Sequence, residues 1–470
     1  MKYHLHILGC QMNRSDSERV RTVLDGMGYR WTDDEQEADL LGVIACSVRQ
    51  KAIDKAYTRI HRWNGWKASR ALLTFVSGCM LESDQKKFLK LFDFVFTMNE
   101  LPEFPDMLRQ YGVVTPLVAG MSTGVVSLRP PEAEPASSGG LISPEALLRR
   151  RPVMTGLWNV SATPVSSFEA FVPIQNGCDK FCTFCAVPYT RGREVSRPSA
   201  EILREVAALV ERGFKSITLL GQNVNSYGYD KPGAEMSFAG LLEEIGQMGV
   251  RAGREFWVYF TSPHPRDMTT DVIETMARHA CLAKQVHLPL QAGDDKVLLR
   301  MNRQHSVGQY RAIVDTIRTT LPEATLFTDI IVGFSGETEA QFANTLRVMD
   351  EVGFNLIYAA MYSPRPGAAS ARWQDDITRD EKKGRLARLN AKLKEQAPAL
   401  NARFVGRTAP VLVTAWDAKH ECLTGLTEGK INVRLSAGEP SWIGRFVEVA
   451  ITETVGLSLA AEPVGAVVAG

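Results

Sequence analysis

Six short apolar runs between residues 168 and 363, alternating with stretches of helical periodicity, constrain the fold of this chain more than any other feature. Alternation of strands and helices is typical of a parallel sheet. Six such units predict an incomplete TIM-type barrel, and the loops after its strands are expected to carry the chemistry. The predicted strands are Ala170–Gln175, Ser216–Leu220, Glu255–Phe260, Lys284–Leu288, Ala324–Ile331 and Leu356–Met361, and the predicted helices include Ser199–Arg212, Phe238–Met248 and Glu339–Val352.

A C-x3-C-x2-C cluster follows the first of these strands. Its members, called the barrel cysteines below, are Cys178, Cys182 and Cys185. Thiolates suit iron–sulfur clusters, and three of them can hold three irons of a [4Fe–4S] cube. Because the neighbouring sequence offers no fourth Cys or His, the fourth iron is expected to be open for a substrate. This arrangement indicates catalysis, whereas full ligation is typical of plain electron transfer.

The first 115 residues form a βαβαβ pattern in which each apolar run ends close to a cysteine. These N-terminal cysteines are Cys10, Cys46 and Cys79. Ligand sites in parallel sheets gather at the carboxyl ends of strands, so the pattern predicts a second three-thiolate site at one sheet edge. Three buried free cysteines are the alternative, because Cys is often a core residue. The predicted strands are Tyr3–Leu8, Leu40–Ala45 and Ala71–Val76, and the predicted helices are Ser15–Met27 and Val48–Arg62.

The pattern of cysteine use favours metal or catalytic sites over disulfides. Disulfide frameworks belong to short secreted chains, whereas this chain has 470 residues, eight cysteines and no secretion signal. A lipid anchor at Cys10 is the alternative, but His4 and His6 interrupt a segment too short for the apolar core of a signal peptide. No apolar run in the sequence reaches the roughly 18 residues of a membrane span. A cytoplasmic protein without a membrane partner is therefore expected, with Cys281 and Cys422 as plain core cysteines.

The chain is expected to be an α/β protein of three domains and a linker. An N-terminal parallel-sheet domain spans 1–115, a linker 116–167, the incomplete barrel 168–402, and a small β-barrel 403–468. The last segment has the size of an oligonucleotide-binding module. Its predicted strands are Ala409–Thr414, Lys430–Leu435 and Phe446–Thr452. In the linker, Arg149–Arg151 is predicted to be solvated charge, with phosphate contact as the alternative.

Motifs along nearly the whole chain resemble the methylthiotransferase family of the radical S-adenosylmethionine superfamily. The loop of the barrel cysteines resembles the superfamily, and the surroundings of the N-terminal cysteines resemble its MiaB-type members, which modify tRNA. The C-terminal segment is similar to a TRAM domain, an RNA-binding β-barrel. The matching motifs are Gly9–Asn13 with Asp16–Glu18, Cys46–Arg49 with Lys51–Ala52, Gly78–Met80, Gly221–Tyr227, His287–Gly293, Asp329–Thr338 and Tyr362–Gly367.

The resemblance implies an enzyme that adds a methylthio group to C2 of N6-isopentenyladenosine beside the anticodon in tRNA. It implies two [4Fe–4S] clusters and S-adenosylmethionine as cofactors. The cluster on the barrel cysteines would cleave S-adenosylmethionine to a 5′-deoxyadenosyl radical, and the cluster on the N-terminal cysteines would carry the sulfur to be transferred. The implied partners of this monomeric enzyme are the tRNA anticodon stem-loop and a flavodoxin-type or ferredoxin-type reductant, while the sulfur donor stays open.

Further residues at strand ends are predicted to contact S-adenosylmethionine. Gln222 and Asn223 follow the second barrel strand, where the superfamily holds the amino group of this cofactor, and loop capping is the alternative. Gly333 and Glu337 follow the fifth barrel strand. Close contact with adenosine needs a small residue such as Gly333, and the alternative is a tight strand–helix turn with Glu337 at the helix start. Three more residues lie at strand ends, with a structural role as the alternative, and these are Ser262, His264 and Gln291.

Charge favours the N-terminal domain over the C-terminal barrel as a contact for tRNA. From Phe404 onward the chain carries a net charge of −2, which is unfavourable for binding phosphates. The stretch Arg49–Arg70 carries a net charge of +6 and includes Trp63 and Trp66. We expect it to contact tRNA through phosphate charges and base stacking. A solvated amphipathic helix with Trp in the core is the alternative.

Two other functions stay open at this stage. A related enzyme of the same chemistry acts on threonylcarbamoyl-adenosine in tRNA or on a ribosomal protein aspartate, but the residues after Cys10 and Cys46 favour the isopentenyladenosine enzyme. A different class is a non-catalytic RNA-binding or electron-carrying iron–sulfur protein, which would not need six strand–helix units. One departure from the family pattern is Ile44–Ala45, where Asn-Thr is usual, and it leaves the surroundings of Cys46 to be determined.

Overall fold

The computed structural model of this chain describes residues 1–110 and 156–464. The predicted charge run Arg149–Arg151 therefore lies outside the described residues. The chain forms two compact units, the first made of Met1–Thr163 with Val187–Val195, and the second of Pro164–Ala186 with Ser196–Gly470. Among the described residues, every helix is too short or too polar to be a candidate for a membrane span.

A five-stranded sheet forms the centre of the first unit. Its strands are β1 (Lys2–Ile7), β2 (Arg30–Trp31), β3 (Leu40–Cys46), β4 (Leu73–Cys79) and β5 (Phe94–Val95). They pair in parallel in the order β2–β1–β3–β4–β5. Because helices cover both faces, β3 is buried along its whole length and has a continuous apolar sequence rather than an alternating one. The predicted parallel sheet is confirmed, and β4 continues beyond Val76 to Cys79.

Helices on the two faces of this sheet divide its core in two. The helices of the first unit include α1 (Gln11–Gly26), α2 (Gln50–Trp66), α3 (Glu82–Phe88) and α4 (Phe104–Gln110). On one face, Val20 and Leu24 of α1 pack against Ile44 of β3. On the other face, α2 buries one stripe of side chains at helical spacing, and these are Ile53, Ala56, Ile60 and Trp63. The sheet is therefore closed to water on both sides.

The segment Val187–Val195, which includes the short helix α5 (Val187–Thr190), belongs to the first unit. The predicted boundaries place it inside the barrel domain, 168–402, and the structure differs. The reason is a buried ion pair, because the guanidinium of Arg191 pairs with the carboxylate of Asp16 on α1, and both side chains are almost fully buried. A charge this deep needs an opposite charge beside it, and Asp16 supplies it.

The second unit contains the predicted incomplete barrel. Its strands are β6 (Glu169–Pro173), β7 (Gln175–Asn176), β8 (Val195–Ser196, which begins in the first unit), β9 (Ser216–Leu220), β10 (Trp257–Phe260), β11 (Gln285–His287), β12 (Thr325–Val332) and β13 (Leu356–Met361). Two parallel sheets have the orders β10–β9–β6 and β11–β12–β13. A parallel bridge between Val258 and Leu282 joins the two sheets. The six barrel strands therefore follow one another as the sequence predicts, in the order β6–β9–β10–β11–β12–β13.

One face of these six strands packs on helices and the other is partly open. The helices are α6 (Ser199–Glu211), α7 (Phe238–Ala252), α8 (Thr270–Arg278), α9 (Asp295–Arg300), α10 (Val307–Thr320), α11 (Glu339–Val352) and α12 (Arg379–Asn401). Side chains alternate along the strands, so Leu326 and Ile330 of β12 lie in the apolar core with the helices. Asp329 between them is only partly buried, and Tyr358 of β13 is exposed. This open face leaves room for a ligand.

A closed five-stranded barrel completes the second unit. Its strands are β14 (Thr408–Asp417), β15 (Cys422–Thr427), β16 (Asn432–Leu435), β17 (Phe446–Val455) and β18 (Ser458–Pro463), in the order β14–β15–β16–β18–β17. Three of these strands are predicted by the sequence, whereas β15 and β18 are not. The barrel contacts the starts of the parallel strands, since Thr325 donates to the carbonyl of Gly429 at 2.6 Å and the ammonium of Lys430 lies 3.9 Å from the ring centroid of Tyr259. The two parts therefore form one compact unit.

Candidate functional site

The loop of the barrel cysteines is held by the end of α9 and the residues after it. Thr183 donates its hydroxyl to the Arg300 carbonyl at 2.8 Å and its N–H to the Met301 carbonyl at 3.0 Å. Asn302 donates to the carbonyls of Lys180 and Phe181 at 3.3 and 3.1 Å. The loop therefore has a defined shape that does not depend on the thiols. Of the cysteines, Cys178 is buried and the other two are partly exposed, and these are Cys182 and Cys185.

Cations surround this loop. The guanidinium of Arg303 lies 3.5 Å from Cys182 Sγ, at hydrogen-bond distance for sulfur. Lys180, inside the loop, pairs with Asp267 at 2.5 Å, and Asp267 also accepts from the amide of Asn223 at 2.9 Å. Hydrogen bonds to the ligand sulfurs are one way in which a protein tunes an iron–sulfur cluster. Arg303 is placed to make such a bond to Cys182.

The barrel cysteines have the donor chemistry of an iron–sulfur site. Within the described residues, no three His, Cys, Asp or Glu side chains are grouped closely enough to bind one metal ion. Thiolates are the ligands that suit iron–sulfur clusters, and in a [4Fe–4S] cube each cysteine binds a different iron. Three cysteines on one loop therefore fit the implied cluster by the chemistry of their side chains.

Unusual backbone conformations mark the strand ends beside this loop. Ser262, just after β10, has a φ of 60°, Gln291 has 72°, and Gly333, just after β12, has 70°. Non-glycine residues rarely adopt positive φ, and such residues cluster at binding sites. In the described part of the chain, the buried oxygens Asn223 Oδ1 and Gln291 Oε1 accept no hydrogen bond. Buried polar atoms are normally satisfied, so these two suit a polar ligand.

Gln222 and Asn223 have different surroundings although they are neighbours. The side-chain oxygen of Gln222 accepts from the N–H of Gly177 at 2.6 Å, next to Cys178. It therefore braces the cysteine loop. The amide of Asn223 donates to Ser226 at 2.8 Å and to Asp267, which orients its free oxygen. Contact with S-adenosylmethionine stays a prediction for both residues, and Asn223 has the better-placed free atom.

The carboxylate of Glu337 is engaged inside the protein. It accepts from the N–H of Gly333 at 2.6 Å and from Arg385 at 2.9 Å. Burial raises the pKa of Glu337, against the lowering effects of these two donors. These contacts agree with the alternative role, a tight turn with Glu at the start of a helix. Direct contact with S-adenosylmethionine is untested for Glu337.

The N-terminal cysteines lie at the carboxyl edge of the first sheet, as the topology predicts. Cys46 ends β3 and Cys79 ends β4, and they are paired in register. Cys10 follows β1 and is the N-terminal cap of α1. Cys46 and Cys79 are buried in a small apolar cluster, and Cys10 is exposed. The three cysteines thus share one edge of the sheet, and their role as cluster ligands stays a prediction.

Electrostatics in this trio favours one thiolate at neutral pH. The pKa of the Cys46 thiol falls to about 6, chiefly because of the hydrogen bond with Cys79, with the charges of Arg191 and Arg49 adding to the effect against burial. The same hydrogen bond raises the pKa of Cys79. Arg191 donates from Nε to Cys79 Sγ at 2.7 Å. A set of cysteines that receives a hydrogen bond from a buried arginine fits an iron–sulfur cluster, whose properties depend on hydrogen bonds to its sulfurs.

The departure at Ile44–Ala45 has a physical account. Ile44 is fully buried in the core, and the polar contact at this point is made by the carbonyl of Ala45, which accepts from the amide of Asn13 at 2.9 Å. A Cβ on Gly78, whose φ is 111°, would lie 2.4 Å from the same carbonyl. The contact uses the backbone, so the side chain before Cys46 is free to be apolar.

The stretch Arg49–Arg70 differs in part from its prediction. Trp63 is fully buried, and its indole N–H donates to Glu35 at 3.2 Å. The prediction that Trp63 stacks on bases is therefore wrong, and the alternative, a tryptophan in the core, is confirmed for this residue. Arg62 pairs with the same Glu35, and it flanks Trp66 with its guanidinium 5.3 Å from the ring centroid. Phosphate contact by the remaining charges stays a prediction.

Sequence reasoning misses several residues of these sites. Arg191 and Arg303 contact cysteine sulfurs, but their partners lie 112 and 121 positions away. On the open face of the barrel, His287 pairs with Asp329 at 2.9 Å, beside Tyr358. His287 and Asp329 begin two of the quoted motifs, which is the signal that could have identified them. Cys281 and Cys422 lie on a loop and on β15, and both are only partly buried, although the sequence predicts core cysteines. Cys281 packs against the edge of the barrel core.

Comparison with known proteins gives the family. The models of the Radical SAM superfamily, of Uncharacterized protein family UPF0004 and of the TRAM domain match residues 172–349, 2–98 and 402–464. A tRNA-2-methylthio-N(6)-dimethylallyladenosine synthase of Geobacter metallireducens is 39% identical, covering 98% of this chain and 97% of the relative. The protein of the same name from Saccharophagus degradans is 35% identical, covering 97% and 95%. The solved radical S-adenosylmethionine methyltransferase TsrM from Kitasatospora setae is 14% identical, covers 77% of this chain and 74% of its own, and has a TM-score of 0.48. The extent of the two sequence relationships shows that this chain belongs to the tRNA-2-methylthio-N(6)-dimethylallyladenosine synthase family of the radical SAM superfamily.

Proposed function

We propose that this chain adds a methylthio group to C2 of N6-isopentenyladenosine beside the anticodon in tRNA, giving 2-methylthio-N6-isopentenyladenosine. The observation that carries the proposal is the placement of two sets of three cysteines, one on the loop that follows β6 and β7 and the other at the carboxyl ends of the parallel strands of the first sheet. When bound, a [4Fe–4S] cluster at the barrel cysteines supplies the electron that cleaves S-adenosylmethionine, and a second cluster at the N-terminal cysteines supplies the sulfur. A protein that only carries electrons usually supplies four cysteines to each cluster, whereas each site here has three.

The strand-end residues of the barrel are proposed to bind and orient S-adenosylmethionine. Asn223 and Gln291 offer free oxygens, which suit the ammonium group of the amino-acid moiety. Gln222 and Glu337 keep the adjoining loops in place through the N–H groups of Gly177 and Gly333. Ser262 and Gly333 complete the set by bending the backbone away from the strand.

The substrate and partners follow from the family. The tRNA anticodon stem-loop is the proposed substrate region, and the closed barrel β14–β18 is a proposed contact because it matches the TRAM domain. A flavodoxin-type or ferredoxin-type protein is the proposed reductant. We further propose that the enzyme is monomeric and acts in the cytoplasm.

Nucleoside mass spectrometry tests the proposal. The chain is purified without oxygen, its clusters are reconstituted, and it is incubated with S-adenosylmethionine, a reductant and tRNA that contains isopentenyladenosine. We expect the methylthio product from the unaltered chain. Cys46→Ala should lose the product but keep reductive cleavage of S-adenosylmethionine, whereas Cys182→Ala should lose both. Cys281→Ala is the matched control and should keep both, because this cysteine lies outside the two sites.

Three results would contradict the proposal. One is modification of threonylcarbamoyl-adenosine in place of isopentenyladenosine. Another is formation of 5′-deoxyadenosine without any change in the tRNA nucleosides. The third is loss of S-adenosylmethionine cleavage in Cys46→Ala with the iron at the barrel cysteines intact, since the two sites would then not divide the chemistry as proposed.

A further inference from the structure

Arg191 joins the N-terminal cysteine site to a buried carboxylate. Its side chain is almost fully buried, and Nε donates to Cys79 Sγ at 2.7 Å. Its two terminal nitrogens contact Asp16, with Nη1 at 3.3 Å from Oδ1 and Nη2 bonded to Oδ2. The planar guanidinium thus presents one edge to a carboxylate and another donor to a sulfur. Asp16 fixes the orientation in which Nε faces the cysteine.

Arg191 is a permanent cation beside the N-terminal cysteines. A guanidinium stays charged in proteins, and Asp16 supplies the opposite charge that its burial needs. A second guanidinium lies near the same edge of the sheet, since Arg49 contacts the carbonyl of Gly9, next to Cys10, at 3.4 Å.

A buried cation at a ligand sulfur has a defined effect on a cluster. Reduction adds one negative charge, and hydrogen bonds to the sulfurs and nearby positive charge favour the reduced form. Asp16 works in the opposite direction, because its carboxylate disfavours added negative charge. The two partners of one ion pair should therefore shift the reduction potential in opposite directions. A purely structural ion pair would not give this signature.

We propose that Arg191 is a positioning residue that raises the reduction potential of the cluster on the N-terminal cysteines by donating Nε–H to Cys79, while Asp16 orients it and limits the rise. This inference rests on the proposed function, which assigns a cluster to these cysteines. It explains why Val187–Val195 belongs to the first unit although the chain on both sides belongs to the second. The segment brings Arg191 to the N-terminal cysteines.

The test uses the full chain with the barrel cysteines replaced by Ala, so that the N-terminal cluster is observed alone. Iron content and a dye-mediated redox titration, followed by electron paramagnetic resonance, are measured for this parent and three variants. Arg191→Lys keeps a charge that can pair with Asp16 but cannot also donate from Nε to the sulfur. Asp16→Asn keeps the shape and removes the opposing charge. Arg109→Met is the control, because Arg109 is also ion-paired in the first unit, with Asp106.

We expect the midpoint potential to become more negative in Arg191→Lys and more positive in Asp16→Asn, and to stay unchanged in Arg109→Met. Equal potentials in parent, Arg191→Lys and Asp16→Asn, with iron retained, would overturn the inference and leave the proposed function intact. Loss of iron in both variants would give the pair a purely structural role and would also overturn it. A parent without a cluster would overturn the assignment of the cluster, and the inference with it.

Discussion

The buried ion pair between Arg385 and Glu337 is expected to hold the turn after β12. Arg385, on α12, donates to the Glu337 carboxylate at 2.9 Å and to the Glu337 carbonyl at 2.8 Å. The side chains of Arg385 and Glu337 are 7% and 1% exposed. Replacing Arg385 with Met keeps the volume but leaves the carboxylate with only the N–H of Gly333. This substitution should destabilise the turn.

The expected magnitude follows from the burial. Removing one partner of a buried ion pair costs about 3–5 kcal/mol, because the other charge stays buried. At about 1.4 kcal/mol per factor of ten, this is roughly two to three and a half orders of magnitude in an opening equilibrium. Adding Glu337→Gln removes the buried charge, while the amide oxygen can still accept from Gly333. The double variant should therefore recover most of the loss.

The effect should depend on pH with a definite sign. Burial raises the pKa of Glu337 even with Arg385 present, and removing Arg385 should raise it further. A carboxyl group whose folded-state pKa lies above its unfolded value contributes stability at low pH that is lost as pH rises through the folded pKa. The penalty of Arg385→Met should therefore grow as the pH rises above the ordinary pKa of a glutamate carboxyl group.

Hydrogen exchange and urea unfolding measure these effects. Exchange in a peptide that spans Gly333–Thr338 reports the local opening. Unfolding followed by tryptophan fluorescence reports both units together, because each unit holds four of the eight tryptophans, so a change confined to one transition is the expected signal. A loss below about 1 kcal/mol in Arg385→Met would refute the reasoning, because that is the range of exposed pairs. The same loss with and without Glu337→Gln would also refute it, since the cost would then not come from a stranded charge.

Three further outcomes are expected. Trp416→Ala should weaken tRNA binding about 5- to 100-fold, because this side chain is 42% exposed on β14 and stacking is worth about 1–3 kcal/mol per base; an unchanged Kd would contradict this. Cys46→Ala should remove about four irons per chain and Cys281→Ala none, which iron analysis of the reconstituted protein checks. Exchanging both Arg59 and Arg62 for Glu should weaken tRNA binding by an amount that shrinks as salt rises, and a loss that is independent of salt would argue against phosphate contact.

Strand positions and the two cysteine sites could be predicted from the sequence because both depend on local signals. Apolar runs mark buried parallel strands, and the carboxyl ends of such strands meet at one edge. Cys46 and Cys79 are therefore brought together by topology alone. By contrast β15 and β18 alternate buried and partly exposed residues over only six positions, which is a weak signal in the sequence. The positive charge of Arg49–Arg70 leads to the wrong prediction that Trp63 stacks on bases. The spacing of Trp63 from Ile53 and Ile60 already indicates that it belongs to the buried stripe of a helix.

Contacts between distant residues could not be predicted. Arg191 meets Asp16 across 175 positions, and no local pattern encodes which carboxylate a buried arginine will find. The left-handed backbone at Ser262 and Gln291 is likewise invisible in the sequence, because neither residue type requires it. These features depend on tertiary packing, which overrides local preference.

The discontinuity of the first unit has a consequence for how the chain is made. The five strands of its sheet and helices α1–α4 have been made by Gln110, but Arg191 leaves the ribosome later, after roughly 4–16 s at typical rates of about 5–20 residues per second. Until then Asp16 lacks the arginine that pairs with it in the described part of the chain, and its buried carboxylate on α1 is left without that charge. The first unit should therefore stay loosely closed during synthesis and tighten only when Val187–Val195 arrives. Metal delivery to the N-terminal cysteines would then be easiest in that interval, before the site is sealed.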